Sequence, residues 1–202
     1  MNHWQGKWAL ITGASAGIGT ALARELAAGG TNLVLTARRR DRLAGLAAEL
    51  SAKHDIRTLI CVADLAQPLG PQQIFSFTEE KNIAIDLLVN NAGFGAYGEF
   101  RRVPLDRLVE MTQVNVTAVV HMTHLYLPGM IARGNGDIFY RSILAARLRC
   151  PVPAAGAEIL GEGKYYSAAS LWPSRAFNLW ISSSAASAIT VPGGKIASAP
   201  AL

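Results

Sequence analysis

A glycine-rich stretch near the amino terminus has the residue types and spacing that bind phosphate groups. It consists of Thr12-Gly13-Ala14-Ser15-Ala16-Gly17-Ile18-Gly19, between an apolar run and a helical pattern. Backbone N–H groups at such a helix start, with the partial positive charge there, attract a phosphate. Gly13 permits the sharp turn, Gly17 clears space for a pyrophosphate, and Gly19 lets the helix pack close to the strand. The stretch predicts a dinucleotide site.

A second candidate feature is the basic run Arg38-Arg39-Arg40 after an apolar segment, with no acidic residue before Asp41. NAD sites usually carry an acid about 20 residues past the glycines, bonded to the ribose 2′-hydroxyl. Arg38 instead offers fork-shaped, charge-assisted hydrogen bonds to a 2′-phosphate. The alternative is a solvated charge cluster opening a helix, where cations are mildly unfavourable. The sequence therefore favours NADP(H), with NAD(H) as the second choice.

Alternating strands and helices position these residues. Apolar runs predict strands over 7–12, 32–36, 57–62, 85–89 and 137–140, and helical periodicity predicts helices over 17–28, from Asp41 onward, over 71–81 and over 104–131, the last one bent or divided. This order is typical of an α/β, Rossmann-type doubly wound parallel sheet with helices on both faces. Ligands bind beyond the carboxyl ends of such strands. The glycine turn, Arg38, Asp64 and Asn90-Asn91 all fall at predicted strand ends.

Composition narrows the class of protein. The chain has 202 residues, of which 50% are hydrophobic, so we expect a single domain over 1–202. No apolar run is long enough for a membrane span, and the first residues lack the features of a signal peptide. Cys61 and Cys150 lie far apart, as reduced core thiols do, and a cytoplasmic protein is expected.

Charge and histidine positions exclude two further classes. The net charge is +5, but the basic residues are dispersed outside the arginine run, so nucleic-acid binding is not expected. His121 and His124 lie three residues apart on a predicted helix without a third ligand cluster, so no metal site is expected.

Several of these motifs together resemble the short-chain dehydrogenase/reductase family. They are the glycine stretch, Asp64-Leu65, Asn90-Asn91-Ala92-Gly93, Asn115 within Val114-Asn115-Val116, and Leu127-Pro128-Gly129-Met130, with fitting spacing over 5–138. The resemblance implies that the phosphates and ribose contact Gly13, Ser15, Gly17, Ile18 and Gly19. It implies that Asp64 and Leu65 border the adenine, and that Asn91, Ala92 and Gly93 run beside the nicotinamide ribose. The alternative for residues 90–93 is a loop that only packs the sheet.

The resemblance also implies a catalytic set of Asn, Ser, Tyr and Lys, for which Asn115, Ser142 and Tyr165 are the candidates. In the family the Tyr gives a proton to the carbonyl oxygen, a Lys one helical turn later lowers the phenol pKa, and the Ser holds the oxygen. An ungapped alignment places Ile143 at the catalytic Ser position. Because one residue on a strand reverses the side-chain face, Ser142 serves only after a slip or bulge.

The Tyr–Lys pair itself is missing. No Tyr in the chain is followed by Lys four residues later, and Lys164 directly precedes Tyr165. Residues 139–202 are rich in Ala, Ser, Pro and Gly, typical of a diverged, truncated or out-of-frame segment. The resemblance implies an NADP-dependent oxidoreductase acting on a small carbonyl or alcohol, with a homo-oligomer typical of the family. The alternative is a nucleotide-binding remnant or sensor without turnover.

Overall fold

The computed structural model describes residues 3–96 and 98–141, together with the backbone of a strand at 186–190. In chain order the strands are β1 (Trp8–Thr12), β2 (Asn32–Ala37), β3 (Thr58–Val62), β4 (Leu87–Asn90), β5 (Asp137–Arg141) and β6 (Ala186–Thr190). The helices are α1 (Gly17–Ala28), α2 (Arg40–Lys53), α3 (Gly70–Glu80), α4 (Leu105–Thr112) and α5 (Ala118–Ala132). A short 3-10 turn, Phe100–Arg102, precedes α4.

The strands form one sheet in the order β3-β2-β1-β4-β5-β6. The first five run parallel, which confirms the predicted doubly wound sheet. β6 pairs antiparallel with β5, Arg141 opposite Ala186 and Asp137 opposite Thr190. An antiparallel strand at the edge of a parallel sheet is common. The weak periodicity of this segment did not predict the strand.

Apolar residues on alternate sides of the strands bury two cores, one on each face of the sheet. Ile11, Leu33 and Leu35 face a cluster completed by α1 and α2, whereas Leu10 and Val34 face the opposite cluster. The first cluster includes the helix residues Leu22, Leu26, Leu43 and Leu50, and the second includes Ile74, Met122, Tyr126 and Met130. Both faces are covered, so the parallel strands are apolar on both sides, as their uninterrupted hydrophobic runs predict.

Cys61 and Tyr126 belong to the second core. The Cys61 thiol is buried and free, and burial raises its pKa to about 11. The Tyr126 hydroxyl lies 2.9 Å from the Thr78 hydroxyl, and burial raises the pKa of this phenol. The charged forms of both groups are therefore disfavoured in the folded protein.

The amino ends of three strands meet at Asp86. Its carboxylate accepts a hydrogen bond from the Trp8 backbone at 3.1 Å, and its own N–H donates to the Trp8 carbonyl at 2.9 Å. The Asp86 carbonyl accepts from the Asp137 backbone at 2.8 Å. Asp86 thus joins β1, β4 and β5 at the amino-terminal ends of the strands, on the side of the sheet opposite the predicted ligand site.

The long helical region is divided, as one of the two predicted forms allowed. A π turn over Gln113–Thr117 separates α4 from α5 and contains Asn115. π turns are rare and often lie at functional sites. Among the helices that the structure describes, none has the length and apolar character required to cross a membrane.

Candidate functional site

A cleft of about 560 Å³ lies at the carboxyl-terminal ends of the parallel strands. It lies where the strand order reverses, between β1 and β4, which is the usual ligand position in such sheets. Its walls contain the predicted Gly13, Ser15, Gly17, Ile18, Arg38, Asp64, Leu65, Asn91, Ala92 and Gly93, together with Ala16, Thr36, Ala37, Arg39, Ala63, Phe94, Val114 and Arg141. All predicted coenzyme residues except Gly19 therefore line one cavity.

Close backbone packing forms the part that we call the cleft floor, made of Thr12, Gly13, Gly19 and Asn91. Gly13 has a φ of +67°, and a Cβ there would lie 2.8 Å from the Ala92 Cα. A Cβ on Gly19 would lie 2.6 Å from Asn91 Nδ2. The same Cβ would collide with the Gly13 carbonyl group, so Gly19 lets α1 pack closely against the turn after β1, the role expected for the third glycine.

Thr12 is a site residue that the sequence analysis did not single out. Its hydroxyl accepts hydrogen bonds from the Asn91 and Ala92 N–H groups, both at 2.9 Å, and donates to the Val89 carbonyl at 3.3 Å. A hydroxyl offers one donor and two acceptor sites, so all three are used. Its position as the last residue of β1, before the first glycine, was the available signal.

Asn91 faces the same floor and is 5% exposed. Its side-chain amide donates to the Thr12 carbonyl at 2.9 Å and to the Gly13 carbonyl at 3.4 Å. Its Oδ1 is buried and has no hydrogen-bond partner among the described residues. The side chain ties the loop after β4 to the glycine turn, which is a positioning task within the cavity wall.

The start of α1 is open toward an anion. Ala16 precedes the helix without a side-chain cap, and the first turn, all of it within the described residues, contains no acidic side chain. A Cβ at Gly17 would meet nothing within 4 Å, so free space lies beside this turn. Unsatisfied N–H groups next to free space are what a bound diphosphate requires.

Four charged side chains form what we call the cleft rim: Arg38, Arg39, Asp64 and Glu110. Arg38 Nη1 lies 3.9 Å from Asp64 Oδ2 and 3.6 Å from Glu110 Oε1, and its side chain is 63% exposed. Arg39 donates to the Ser15 hydroxyl at 2.9 and 3.2 Å. Both guanidinium groups belong to the cleft wall, and Arg39 lies beside the open start of α1.

Asn115 lies behind the cleft lining, next to Val114 and bonded to Phe94, which both line the cleft. Its Oδ1 accepts from the Phe94 N–H at 3.1 Å, and its Nδ2 donates to the Phe94 carbonyl at 2.9 Å. The π turn thus fixes the loop after β4, while the Asn115 side chain is occupied by backbone groups. Ser142 and Tyr165, the other predicted catalytic residues, lie outside the described residues, and their roles stay predictions.

Arg141 at the end of β5 was also not anticipated. It lines the cleft, and its Nε is buried with no hydrogen-bond partner among the described residues. Burial lowers the pKa of its guanidinium group. Arg141 forms no ion pair with a carboxylate in the described part of the chain, so this half-buried cation adds positive charge to the wall formed by β5.

Comparison with known proteins places these features in a family. The family model described as short chain dehydrogenase matches residues 7–154. The very-long-chain 3-oxoacyl-CoA reductase of Anas platyrhynchos is 35% identical over 153 residues, covering 73% of this chain and 48% of that protein. The inactive hydroxysteroid dehydrogenase-like protein 1 of Homo sapiens is 36% identical over 136 residues, covering 66% of this chain and 41% of that protein.

Solved structures of two NADPH-bound proteins are also similar to this chain. L-sorbose reductase from Gluconobacter frateurii, complexed with NADPH and L-sorbose, superposes with a TM-score of 0.66 at 36% identity, covering 70% of this chain and 54% of that chain. A blue fluorescent protein from a metagenomic library, in complex with NADPH, gives 0.65 at 32% identity, covering 72% and 60%.

The curated relatives are longer than the matched region, since the chain spans less than half the length of each of these two proteins. The family match nevertheless covers most of this chain and includes the glycine turn, the Asn91 loop and the Asn115 turn. The chain therefore belongs to the short-chain dehydrogenase/reductase family.

Proposed function

We propose that this protein binds NADP(H) in the cleft and acts as an oxidoreductase on a small carbonyl or alcohol substrate. The observation that carries the proposal is the uncapped start of α1 beside Arg38 and Arg39 in one cavity. Anionic oxygens there meet backbone N–H groups and two guanidinium groups, the donors best suited to phosphates. The NADPH-bound neighbours support the same assignment.

The residues present fit each part of that coenzyme. The turn from Gly13 to Ile18 would hold the diphosphate, because Gly17 leaves free space at the helix start. Arg38 would hold the 2′-phosphate, and Asp64 with Leu65 would border the adenine. Asn91 to Gly93 would run beside the second ribose. No acidic residue stands at the end of β2, where an NAD site would place one.

For the reaction we propose Asn115, Ser142 and Tyr165 as the protein's polar groups. The bound coenzyme supplies or accepts a hydride at the substrate carbon. Tyr165 would donate a proton to the carbonyl oxygen during reduction and Ser142 would orient that oxygen, while Asn115 holds the loop wall at Phe94. A phenol with an ordinary pKa near 10 is a poor acid–base group at neutral pH without an adjacent cation.

A second candidate function is coenzyme binding without turnover. It is favoured by the missing Lys four residues after any Tyr. NADPH oxidation that depends on an added aldehyde or ketone separates the two candidates. Turnover that is lost in Tyr165→Phe supports the enzyme, whereas tight NADPH binding without turnover supports the second function.

The test of coenzyme choice is fluorescence or calorimetric titration with NADPH and NADH. We expect the wild-type protein to bind NADPH more tightly, and Arg38→Asp to weaken NADPH binding about tenfold or more while changing NADH binding little. Arg24→Asp, at an exposed pair with Glu49 on α1 and α2, is the charge control. Equal losses for both coenzymes in Arg38→Asp contradict the assignment.

We further propose that copies of the chain associate, as the family resemblance implies. Leu105 and Val109 on α4, Val116 in the π turn and Val120 on α5 are exposed apolar residues, with four-residue spacing within each pair. Such a stripe suits a two-fold contact between identical copies. Light scattering of wild type and Val116→Lys tests this, with a larger mass expected for wild type.

The free, buried thiol of Cys61 favours a reducing compartment, and we propose the cytoplasm.

A further inference from the structure

A line of alternating charges runs to α4 from Arg38 and Asp64, which line the cleft. Arg38, after β2, lies between Asp64 at 3.9 Å and Glu110 at 3.6 Å. Glu110 in turn binds Arg107 at 2.8 Å, and the Arg107 guanidinium lies 3.8 Å from the centre of the Phe94 ring. The charge that is proposed to hold the 2′-phosphate is therefore already engaged by carboxylates from two other elements.

The two carboxylates differ in their other bonds. Asp64 Oδ1 accepts from the Ala66 backbone N–H at 3.0 Å, which holds this side chain in its own loop. Glu110 uses one oxygen for Arg38 and the other for Arg107. When Arg38 turns to another anion, Glu110 keeps the shorter of its two contacts. Releasing Arg38 therefore leaves no unpaired charge on α4.

We propose that Glu110 is the counter-ion of Arg38 in the ligand-free protein and a specificity-determining residue, because its carboxylate competes with the coenzyme 2′-phosphate. This inference rests on the proposed function, in which Arg38 receives that phosphate. A coenzyme without the phosphate leaves the Arg38–Glu110 pair in place. Glu110 thus lowers the preference for NADP(H) over NAD(H) below the value that Arg38 alone would give.

The solvent exposure of the Arg38–Glu110 pair limits how much Glu110 can weaken binding of the 2′-phosphate. An ion pair between partly exposed side chains is weak, so a doubly charged phosphate can displace it. The remaining cost is the lost Arg38–Glu110 pair and the repulsion between the phosphate and the nearby Glu110 carboxylate. These terms change the affinity for a 2′-phosphate about three- to fivefold, and they decrease as salt screens the charges.

The experiment compares 2′,5′-ADP with 5′-AMP by calorimetry on the full chain at low salt. These two probes differ by the phosphate at issue. We expect Glu110→Gln to bind 2′,5′-ADP about three- to fivefold more tightly than wild type, with unchanged affinity for 5′-AMP. The gain should shrink at about 0.5 M salt.

Glu49→Gln is the matched control. Glu49 is also a partly exposed glutamate paired with an arginine, but it lies on α2 with Arg24 as its partner. The Glu49→Gln substitution removes the same charge and should leave the affinities for 2′,5′-ADP and 5′-AMP unchanged. Thermal melts of both variants report whether the fold is retained, and Glu110→Ala is the second variant that removes the carboxylate if Glu110→Gln melts early.

The possible results distinguish the role of Glu110 from the proposed role of Arg38 in binding the 2′-phosphate. Wild-type protein that does not prefer 2′,5′-ADP over 5′-AMP overturns the assignment of Arg38. A wild-type preference that is the same, or smaller, in Glu110→Gln overturns the role of Glu110 alone. A gain of equal size in Glu49→Gln also overturns it, because the effect would then be one of net charge.

Discussion

The floor and the rim of the cleft are built in opposite ways. In the floor, Thr12 and Asn91 are buried and bonded to backbone groups of neighbouring strands at about 3 Å. In the rim, Arg38 is mostly exposed, and its two carboxylate contacts are 3.6 and 3.9 Å long. We therefore expect the floor to set the shape that accepts any dinucleotide and the rim to distinguish between dinucleotides. Substitutions in the floor should affect stability and both coenzymes equally, and substitutions in the rim should affect selectivity alone.

The strongest test of this contrast is Gly19→Ala in the floor. The added Cβ would collide with the Gly13 carbonyl group and lie 2.6 Å from Asn91 Nδ2, so the glycine turn leaves no free space there. We expect the free energy of unfolding to fall by about 3 kcal/mol and the affinities for NADPH and NADH to fall by the same factor. Urea unfolding and coenzyme titration measure these quantities.

Gly45→Ala is the control for that substitution. Gly45 lies within α2, where an added Cβ would meet nothing within 4 Å. Because alanine is the better helix former, this variant should gain about 0.5–1 kcal/mol of stability. Equal destabilisation by both variants would show that close packing at Gly19 is not the cause.

The next largest effect is expected for Thr12→Val. The substitution keeps the side-chain shape but leaves the Asn91 and Ala92 N–H groups without their acceptor. We expect a loss of about 2 kcal/mol in unfolding free energy. Thr12→Ser retains the hydroxyl and should lose less than about 1 kcal/mol, mainly through the missing methyl group. A valine variant as stable as the serine variant would contradict the role of the hydroxyl.

Arg39→Gln is the variant of the cleft rim to compare with these variants of the cleft floor. It removes the charge that is bonded to Ser15 while leaving the floor unchanged. We expect NADPH affinity to fall about fivefold, equivalent to about 1 kcal/mol, with an unfolding free energy within about 0.5 kcal/mol of wild type. If stability falls as far as in Thr12→Val, the division between floor and rim is wrong.

The smallest effect concerns β3, the strand beneath the rim. The pKa of Cys61 is raised to about 11 by burial, so the folded state disfavours the thiolate. Its contribution to stability is full below the ordinary thiol pKa and is lost as the pH rises through about 11. Between pH 8 and 10, the unfolding free energy of wild type should fall by about 1 kcal/mol more than that of Cys61→Ala. If the unfolding free energies of the two proteins change with pH in the same way, the Cys61 thiol is not buried as the structure shows.

The sequence predicted the floor and the parallel sheet well because both depend on local patterns. Apolar runs without alternation placed β1 to β5 within a residue or two, and α1 from Gly17 to Ala28 was predicted to the residue. The glycine spacing placed Gly13 and Gly17 in the cleft wall. Backbone requirements of this kind are visible in the residue types themselves.

The rim and the antiparallel β6 could not be obtained in this way. Glu110 reaches Arg38 only because the fold brings α4 close to the residue that follows β2, and no sequence spacing records that approach. The three bonds of Thr12 likewise depend on β4 lying beside β1, from residues 77 to 80 positions away. Ala186–Thr190 carries a weak pattern, and its direction follows from pairing with β5.

The bonds of Asp86 bear on how the length of this chain can vary. Asp86 links Trp8 and Asp137 at one end of the sheet, while Thr12 links β1 to β4 at the other. A residue inserted or deleted between these two anchoring points would break one of them and turn every later side chain in the strand to the wrong face. We therefore expect insertions and deletions in related chains to fall in connections outside these strands, and the spacing from Trp8 to Thr12 to align without gaps.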